Sequence, residues 1–311
     1  MSEYRDPELA KKYLEEIKNT VSRPWSIMEV RGGQTHSLVK NGIIDMLPDT
    51  VTMIHGPGCP VCVTPLNLID KAIYLAEEKG VILCSFGDML RVPGSQKNLL
   101  EVKAEGADVR ILYSPLEAVK IAEDNPDKEV VFFAVGFETT APANALSVVH
   151  AHRRGVKNYS ILASHVLVPP AIKAVIDVEE SKIDGFLAAG HVCTIMGNSE
   201  YHPLSAEYKV PIVVTGFEPL DVLQGILMVI RQLEQSKSEV ENQYARIVRE
   251  DGNPEAQKVI NEVFEIRNQM WRGIGEIPNS GYVIKEAYRK YDAETKFNIS
   301  NIKVPENASC I

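Results

Sequence analysis

The chain has 311 residues and a formal net charge of −9 at pH 7, with 45% apolar and 24% charged residues. That length is enough for two or three domains with their own cores, and the composition is typical of a globular protein. The acidic balance argues against a nucleic-acid partner. No apolar run is long enough to span a bilayer and the charged start is not a signal peptide, so we expect a cytosolic protein without a membrane partner.

The first fifty residues are predicted to form a helix followed by a glycine-rich loop. In DPELAKKYLEEIKNTV, Asp6 precedes Pro7, the order typical of an N-cap and a first helical residue. In the later stretch MEVRGGQTHS, Gly32 and Gly33 permit unusual backbone angles or close approach to a partner. His36 in the same stretch is a candidate ligand or proton carrier, and a glycine turn with a surface histidine is the alternative.

From residue 51 to residue 217, short apolar runs alternate with amphipathic segments. The apolar runs predict strands at 51–56, 81–86, 109–114, 130–136, 159–164, 185–190 and 211–216. The amphipathic segments predict helices at 66–79, 115–124, 140–154, 169–180 and 219–235. This alternation indicates an α/β fold with mostly parallel sheets and flanking helices. The polar segment AEDNPDKE suggests a boundary between two similar α/β domains, at 51–123 and 124–218.

Several predicted strands run into a glycine that is next to polar or acidic residues. These strand ends read FGDML (86–90), GFETT (136–140), GHVCT (190–194) and GFEPL (216–220). Ligands of open α/β sheets bind outside the carboxyl ends of the strands, so we expect these loops to line one common face. The similarity of VVFFAVGFETTAP to PIVVTGFEPL also hints at two related halves.

Polar residues at these strand ends are candidates for chemistry. Glu138 could act as an acid, a base or a hydrogen-bond acceptor. Its alternative role is structural, with Thr139 or Thr140 capping the next helix while Glu138 complements the helix dipole. His165 and His191 also follow strands, and each taken alone is interpreted as a structural histidine.

The motif HGPGCPVC places Cys59 and Cys62 in a stiff loop at the end of a predicted strand. A CxxC pair in a cytosolic chain is typical of a metal site or a redox dithiol. A metal half-site needs further ligands, and no second CxxC occurs among the other cysteines, which are Cys84, Cys193 and Cys310. A redox dithiol fits better, because a helix from about Leu66 would lower a thiol pKa. A proline-rich turn with two idle thiols is the remaining alternative.

Beyond residue 219 the pattern becomes helical and charged. Residues 221–235 and 253–271 have apolar side chains at helical spacing. We therefore expect residues 1–50 to pack with residues 219–311 as a smaller, helical region.

Seven sequence blocks together resemble the HypD family of hydrogenase maturation proteins. In chain order they are MEVRGGQTH, HGPGCPVCVTP, FGDMLRVPGS, GADVRILYSP, VVFFAVGFETTAPA, GHVCTIMG and VVTGFEPLDVLQG. The resemblance implies a scaffold that assembles the Fe(CN)2CO unit of [NiFe] hydrogenases. It implies a small HypC-like chaperone and a HypE-like cyanide donor as partners, and two similar α/β domains plus a third region.

The resemblance also implies roles for individual residues. Cys59 and Cys62 correspond to the family's redox-active pair. His36 corresponds to the histidine of the GG-TH motif and Glu138 to the glutamate of GFETT. These groups are expected to surround an iron unit carried jointly with the HypC-like partner. The residues expected to contact that unit are Gly32, Gly33, Thr139 and His191.

Two departures from the family pattern concern metals. The family's early motif reads MEVCGG, with the cysteine proposed as an iron ligand, whereas this chain has Arg31, whose guanidinium offers no lone pair. Nearby, Gln34 replaces a frequent histidine. Family members also continue into a segment that holds a [4Fe–4S] cluster; here Cys310 is the one candidate ligand, and one thiolate cannot hold that cluster. The alternatives are a degenerate HypD-like binding module without iron chemistry, and a thiol–disulfide redox protein.

Overall fold

A computed structural model describes residues 3–178 and 181–300 and has two sheets of mostly parallel strands with flanking helices. The chain divides into unit 1, Met1–Cys59 and Val168–Pro254, and unit 2, Pro60–Leu167 and Glu255–Ile311. The α/β class is therefore as expected. The division differs from the expected domains, because α/β elements on both sides of the AEDNPDKE segment belong to unit 2.

The strands and helices have the following bounds. The strands are β1 (Trp25–Glu29), β2 (Val51–His55), β3 (Val81–Ser85), β4 (Val109–Ile111), β5 (Glu129–Gly136), β6 (Tyr159–Val166), β7 (Gly185–Ala189), β8 (Ile212–Thr215), β9 (Val240–Asn242), β10 (Phe264–Trp271) and β11 (Gly275–Ile284). The α-helices are α1 (Pro7–Thr20), α2 (Gly32–Lys40), α3 (Ile43–Met46), α4 (Pro60–Val63), α5 (Leu66–Glu77), α6 (Leu99–Ala104), α7 (Pro115–Asp124), α8 (Ala141–Arg154), α9 (Val168–Ile176), α10 (Gly190–Met196), α11 (Tyr201–Tyr208), α12 (Pro219–Glu234), α13 (Pro254–Val263) and α14 (Ala293–Lys296). Short 3-10 helices lie at Glu3–Arg5, Gly87–Arg91 and Glu286–Tyr291.

The predicted strands between residues 51 and 217 are all confirmed as β2 to β8. The N-terminal helix also begins as predicted, since Pro7 is its first residue and the Asp6 side chain accepts hydrogen bonds from the backbone N–H groups of Glu8 and Leu9. Within residues 3–178 and 181–300, no helix is long and apolar enough to cross a membrane.

In unit 1, five parallel strands form a sheet in the order β2-β1-β7-β8-β9. Helices α1 and α12 pack beside each other, and α12 also contacts β7 and β8. Helices cover the strands of this parallel sheet, so the side chains between strands and helices are buried and the core is aliphatic. It includes Ile17, Ile27, Leu187, Val213, Leu223, Ile226 and Ile230.

In unit 2, six strands form a sheet in the order β10-β11-β6-β5-β3-β4. The part β6-β5-β3-β4 is parallel, whereas β11 pairs antiparallel with both β6 and β10. One face of this sheet packs on α5 and α6 through an aliphatic and aromatic core. That core includes Leu75, Leu83, Leu90, Val131, Phe133 and Leu162.

Both sheets share one parallel arrangement. We number the strands of each unit from one in chain order. With that numbering, the first four strands lie side by side in the sheet in the order 2-1-3-4 in both units. The direction of winding therefore reverses between β1 and β7 in unit 1 and between β3 and β5 in unit 2. At such a reversal the loops after the two strands diverge and leave a crevice for ligands. The GFETT loop follows β5, the third strand of unit 2, whereas the GFEPL loop follows β8, the fourth strand of unit 1. The two loops are therefore not at equivalent positions, and their sequence similarity does not describe the relation between the units.

The prediction of a smaller helical region from the two chain ends holds for α1, which packs on α12, but is wrong where these ends form strands. Residues 25–29 form β1, a central strand of unit 1, although its run WSIME is short and contains a buried glutamate. The helix predicted at 253–271 ends at Val263 and continues as β10. A register shift between Arg267 and Gln269 interrupts the strand's alternation, so its two buried aromatic residues stand seven apart, a spacing that mimics a helix.

The start of α12 depends on one buried ion pair. Asp221 is 1% exposed, and its carboxylate accepts hydrogen bonds of 2.8 and 2.6 Å from the two terminal nitrogens of Arg246. The Gln243 side-chain amide donates to the same carboxylate at 2.9 Å. A charge at this depth is tolerated because it is paired and hydrogen-bonded.

Replacing Arg246 should therefore be far more costly than replacing an arginine of an exposed pair. Arg246→Ala leaves the Asp221 carboxylate buried without its guanidinium, and we expect a loss of about 3 kcal/mol in the free energy of unfolding. The matched control is Arg231→Ala, which breaks an exposed pair with Glu16 and should cost about 0–1 kcal/mol. Urea denaturation measures both, and equal losses would contradict this account.

Candidate functional site

The two glycine-rich loops of unit 1 follow neighbouring strands and run side by side. Strands β1 and β2 are parallel, and their register aligns Glu29 with His55 at the carboxyl ends. Beyond the strands, the N–H of Gly56 donates to the Glu29 carbonyl at 2.8 Å, and the N–H of Gly32 lies 3.4 Å from the Gly58 carbonyl. The HGPGC and RGG segments are thus joined by backbone hydrogen bonds.

Gly58 permits this close approach because it has no side chain. A Cβ atom at Gly58 would lie 2.6 Å from the Arg31 backbone nitrogen, and closer still to Arg31 Cα and the Val30 carbonyl oxygen. These are backbone atoms, which cannot rotate away as a side chain can. The chain directly before Cys59 is therefore held against residue 31.

The buried carboxylate of Glu29 contacts residues of both segments. The side chain of Glu29 is buried, and one of its oxygens lies 2.6 Å from His55 Nδ1. The carboxylate also accepts hydrogen bonds from the Arg31 N–H, at 3.0 Å, and from the Thr35 hydroxyl. Burial raises the pKa of Glu29, and these hydrogen bonds oppose the rise without cancelling it.

The first turn of α2 rests on the ends of β7 and β8. Gln34 is fully buried, and its amide nitrogen donates to Thr215 Oγ1 at 2.6 Å and to the Ala188 carbonyl at 3.2 Å. A Cβ atom at Gly33 would lie 3.0 Å from the ring of Phe217. Gln34 therefore links three strand ends, while Gly33 allows the turn to approach β8.

His191 and Arg31 flank the winding reversal of unit 1. His191 is the second residue of α10, directly after β7, and its ring centroid lies 4.6 Å from that of Phe217. Burial, and next the positive charge of Arg31, lower the pKa of His191 to about 3. The imidazole is therefore neutral near pH 7, so it can accept a hydrogen bond or bind a cation through a lone pair.

His36 lies apart from these contacts, on the outer face of α2. The inner face of that helix is defined by the buried residues Gln34, Ser37 and Leu38, whereas His36 is exposed. Gly32 and Gly33, in the first turn, are exposed as well. The role predicted for His36 remains a prediction.

Cys59 and Cys62 are both disulfide-bonded. Cys59 is half-buried and Cys62 is exposed, and between them the single-turn helix α4 begins at Pro60, ahead of the helix expected from Leu66. The thiol of Cys84 is free and buried, and burial raises its pKa to about 12, as suits an inert core residue. Cys193 is also buried and is not in a disulfide. Cys310 lies outside the described residues.

Glu138 lies at the winding reversal of the unit 2 sheet, in the turn from β5 to α8. It is 1% exposed, while Thr139 beside it is half-buried. Thr140 is the N-cap residue of α8, but its hydroxyl makes no capping bond and instead donates to the Phe137 carbonyl at 3.1 Å. The predicted position of the cap is therefore confirmed at Thr140, but the prediction that its side chain caps the helix is wrong. Glu138 itself stays available as a candidate for acid–base chemistry.

A resident metal centre is not formed by the described side chains. In residues 3–178 and 181–300, no group of three or more histidine, cysteine, aspartate or glutamate side chains could hold a metal ion. Arg31 adds a fixed positive charge at the family's proposed ligand position.

Three residues that build the unit 1 site are not among the site residues predicted from the sequence. Glu29 and His55 form its central contact, and Gln34 links it to two further strands. A signal was present for Glu29, since a single glutamate in a short apolar run, three residues before a pair of glycines, is unusual for a buried strand. No comparable signal identified Gln34, because its partners are distant in sequence.

The close approach at Gly58 predicts opposite effects for two glycine substitutions. Gly58→Ala should cost about 1–3 kcal/mol, because its Cβ would meet backbone atoms of Val30 and Arg31. Gly32→Ala, with nothing within 4 Å of its Cβ and a helical position, should be neutral or should stabilise by up to about 1 kcal/mol. Chemical denaturation compares them, and a tolerated Gly58→Ala would refute the described contact.

The raised pKa of Glu29 predicts a pH dependence of stability. The folded protein binds the Glu29 proton more tightly than the unfolded chain does, so this proton contributes to the free energy of unfolding. The contribution is complete below the ordinary pKa near 4.5 and is lost as pH rises through the pKa of the folded protein. Glu29→Gln removes this loss. Wild type should therefore lose stability relative to Glu29→Gln between about pH 4 and pH 7, as measured by urea denaturation.

Glu234→Gln provides the control of opposite sign. Hydrogen bonds from Ser22 lower the pKa of Glu234, so wild type should gain stability relative to this variant as pH rises through the lowered value. If the two variants gave slopes of the same sign, the assignment of a raised pKa to Glu29 would be wrong.

Comparisons with known proteins agree with the resemblance that the motifs carry. The family model HypD, described as "Hydrogenase formation hypA family", matches residues 8–311. Hydrogenase maturation factor HypD2 of Bradyrhizobium diazoefficiens is 46% identical over 318 residues, covering 99% of this chain and 84% of the relative. Hydrogenase maturation factor HypD of Escherichia coli is 44% identical over 305 residues, covering 96% and 82%.

A third relative extends the match to the whole chain. Hydrogenase maturation factor HypD of Azotobacter vinelandii is 46% identical over 319 residues, which cover 100% of this chain and 84% of the relative. Such identity over nearly the entire length, together with the family match, leaves one conclusion. The chain belongs to the HypD family of hydrogenase maturation factors.

Proposed function

We propose that this chain is a cytosolic scaffold on which the Fe(CN)2CO unit of [NiFe] hydrogenases is assembled, together with a HypC-like chaperone and a HypE-like cyanide donor. One observation carries the proposal: Gly58 packs on the backbone of Arg31, so the CxxC motif begins directly beside the position of the family's proposed iron ligand. A redox pair and an iron position that meet in this way suit a site where ligands are attached to iron.

The cysteine pair supplies the redox chemistry in this proposal. Cys59 and Cys62 are both disulfide-bonded, and of the chain's three other cysteines Cys84 and Cys193 are not in a disulfide, so one bond between Cys59 and Cys62 is the simplest arrangement. Closing two thiols into a disulfide releases two electrons and two protons, and reopening it consumes them. We propose that the pair supplies or accepts these electrons during ligand attachment.

Proton handling is proposed for side chains at the strand ends. In unit 1, the half-exposed His55 is oriented by the Glu29 carboxylate, and the neutral His191 offers a lone pair. In unit 2, the buried Glu138 stands at the corresponding winding reversal. We propose that Glu138 holds or transfers a proton during ligand attachment, as the glutamate of the GFETT motif.

Arg31 favours a second candidate function. A guanidinium cannot replace a thiolate as an iron ligand, and its charge reaches His191. A chain with this substitution could keep the partner-binding surfaces of the family and yet carry no iron. The second candidate is therefore a HypD-like binding module without iron chemistry.

Anaerobic co-purification with a HypC-like chaperone separates the two functions. For the scaffold, we expect iron in the complex and infrared bands of bound CO and CN, and Arg31→Cys should raise both several-fold. Bands that appear only in Arg31→Cys would establish the binding module and identify the missing thiolate as its cause. Absence of bands from both proteins would overturn the scaffold proposal.

Two cysteine variants test the redox role within the same experiment. Cys59→Ser in the Arg31→Cys background should abolish the bands, because a single thiol cannot form the disulfide. Cys84→Ala removes a buried thiol of raised pKa and should leave the bands unchanged. Bands that survive in Cys59→Ser would refute the proposed role of the pair.

A further inference from the structure

A buried histidine in unit 2 has no role in the function proposed above. His165 lies near the end of β6 and is fully buried, and its Nε2 lies 2.8 Å from the side-chain nitrogen of Asn144 in α8. The same amide nitrogen lies 3.1 Å from the Thr140 carbonyl. It therefore lies between two acceptors, a carbonyl oxygen and a ring nitrogen.

These two contacts fix the protonation of the ring. The nitrogen of an amide donates and does not accept, and a flipped amide would set its oxygen against the Thr140 carbonyl. His165 Nε2 is therefore the acceptor, and Nδ1 carries the proton. Burial lowers the pKa of His165 to about 3, so the ring remains a neutral acceptor across the physiological range.

The hydrogen bonds continue from Asn144 into the turn that carries Glu138. Both the N–H and the hydroxyl of Thr140 donate to the Phe137 carbonyl at 3.1 Å. Gly136 leaves no space for a Cβ, which would clash with the Thr140 side chain, and the sheet register pairs Gly136 with His165. His165, Asn144 and Thr140 thus form consecutive links that end at the turn.

A second polar pair connects the same helix and strand; its serine also donates to the backbone carbonyl of Asn144 at 2.7 Å, one helical turn from Thr140 and not through the side-chain amide. Ser147 of α8 and Tyr159 at the start of β6 are fully buried and hydrogen-bonded at 2.8 Å. This pair is as deeply buried as the Asn144–His165 pair, and it joins the same helix and strand. Comparing the two pairs separates a general packing role from an effect on the turn.

We infer that His165 is a positioning residue for Glu138, acting through the acceptor that it offers to Asn144. The inference rests on the proposed role of Glu138. Without that acceptor, the Asn144 amide keeps only the Thr140 carbonyl, and the turn loses its side-chain link to β6. Glu138 then samples orientations that do not serve proton transfer, although the fold persists.

Three variants of the full chain test the inference. His165→Leu removes the acceptor, His165→Gln retains one because its amide oxygen can take the place of Nε2, and Tyr159→Phe breaks the control pair. Amide hydrogen exchange of residues 137–140 is the primary measurement. We expect exchange there to accelerate about tenfold in His165→Leu, and by no more than about twofold in the other two variants.

The outcomes divide cleanly. Equal acceleration in His165→Leu and Tyr159→Phe would reduce His165 to a packing residue, and failure of His165→Gln to restore slow exchange would refute the acceptor.

Glu138→Gln in the infrared experiment tests the proposed function separately. If that variant keeps its CO and CN bands, the role of Glu138 fails and with it the functional part of the inference, whereas the exchange data still decide whether His165 orders the turn.

Discussion

The buried carboxylate of Glu29 is the interaction on which the unit 1 site depends. Three groups converge on it: the His55 ring at the end of β2, the Thr35 hydroxyl in α2 and the N–H of Arg31, the N-cap residue of α2. A carboxylate without solvent is costly unless it is hydrogen-bonded, so these contacts form together or not at all. Their joint formation fixes the RGG and HGPGC loops in one arrangement, and the absence of a side chain at Gly58 lets the two backbones touch. The position of the CxxC motif follows from those two conditions.

The parallel sheets repeat one topological rule with different chemistry. In both units the winding reverses next to the first strand, which opens the space beyond two carboxyl strand ends. In unit 1 that space is bordered by Arg31 and a neutral His191, and in unit 2 by the buried Glu138. A neutral histidine and a buried glutamate thus occupy corresponding places in the two units. Arg31 adds a fixed positive charge on the unit 1 side.

The parts of the fold that depend on local pattern could be predicted from the sequence, and the parts that depend on distant partners could not. Strands β2 to β8 are continuous apolar runs, so their positions were evident. Strand β1 contains Glu29, which is acceptable only because His55 and Thr35 bond to it, and β10 has a bulge that alters its alternation. The same reasoning applies to the site. Glu138 and His191 follow from the rule about strand ends, whereas His165 gains its role from Asn144.

The central claim is that Cys59 and Cys62 act as one redox pair beside residue 31. Thiol trapping of the full chain, equilibrated in a series of dithiol–disulfide buffers and read by mass spectrometry, tests it most directly. The account predicts that Cys59 and Cys62 lose and gain their labels together in a single two-electron transition, while Cys84 and Cys193 stay reduced throughout. Independent labelling of Cys59 and Cys62, or oxidation of Cys84 or Cys193 in their place, would contradict it.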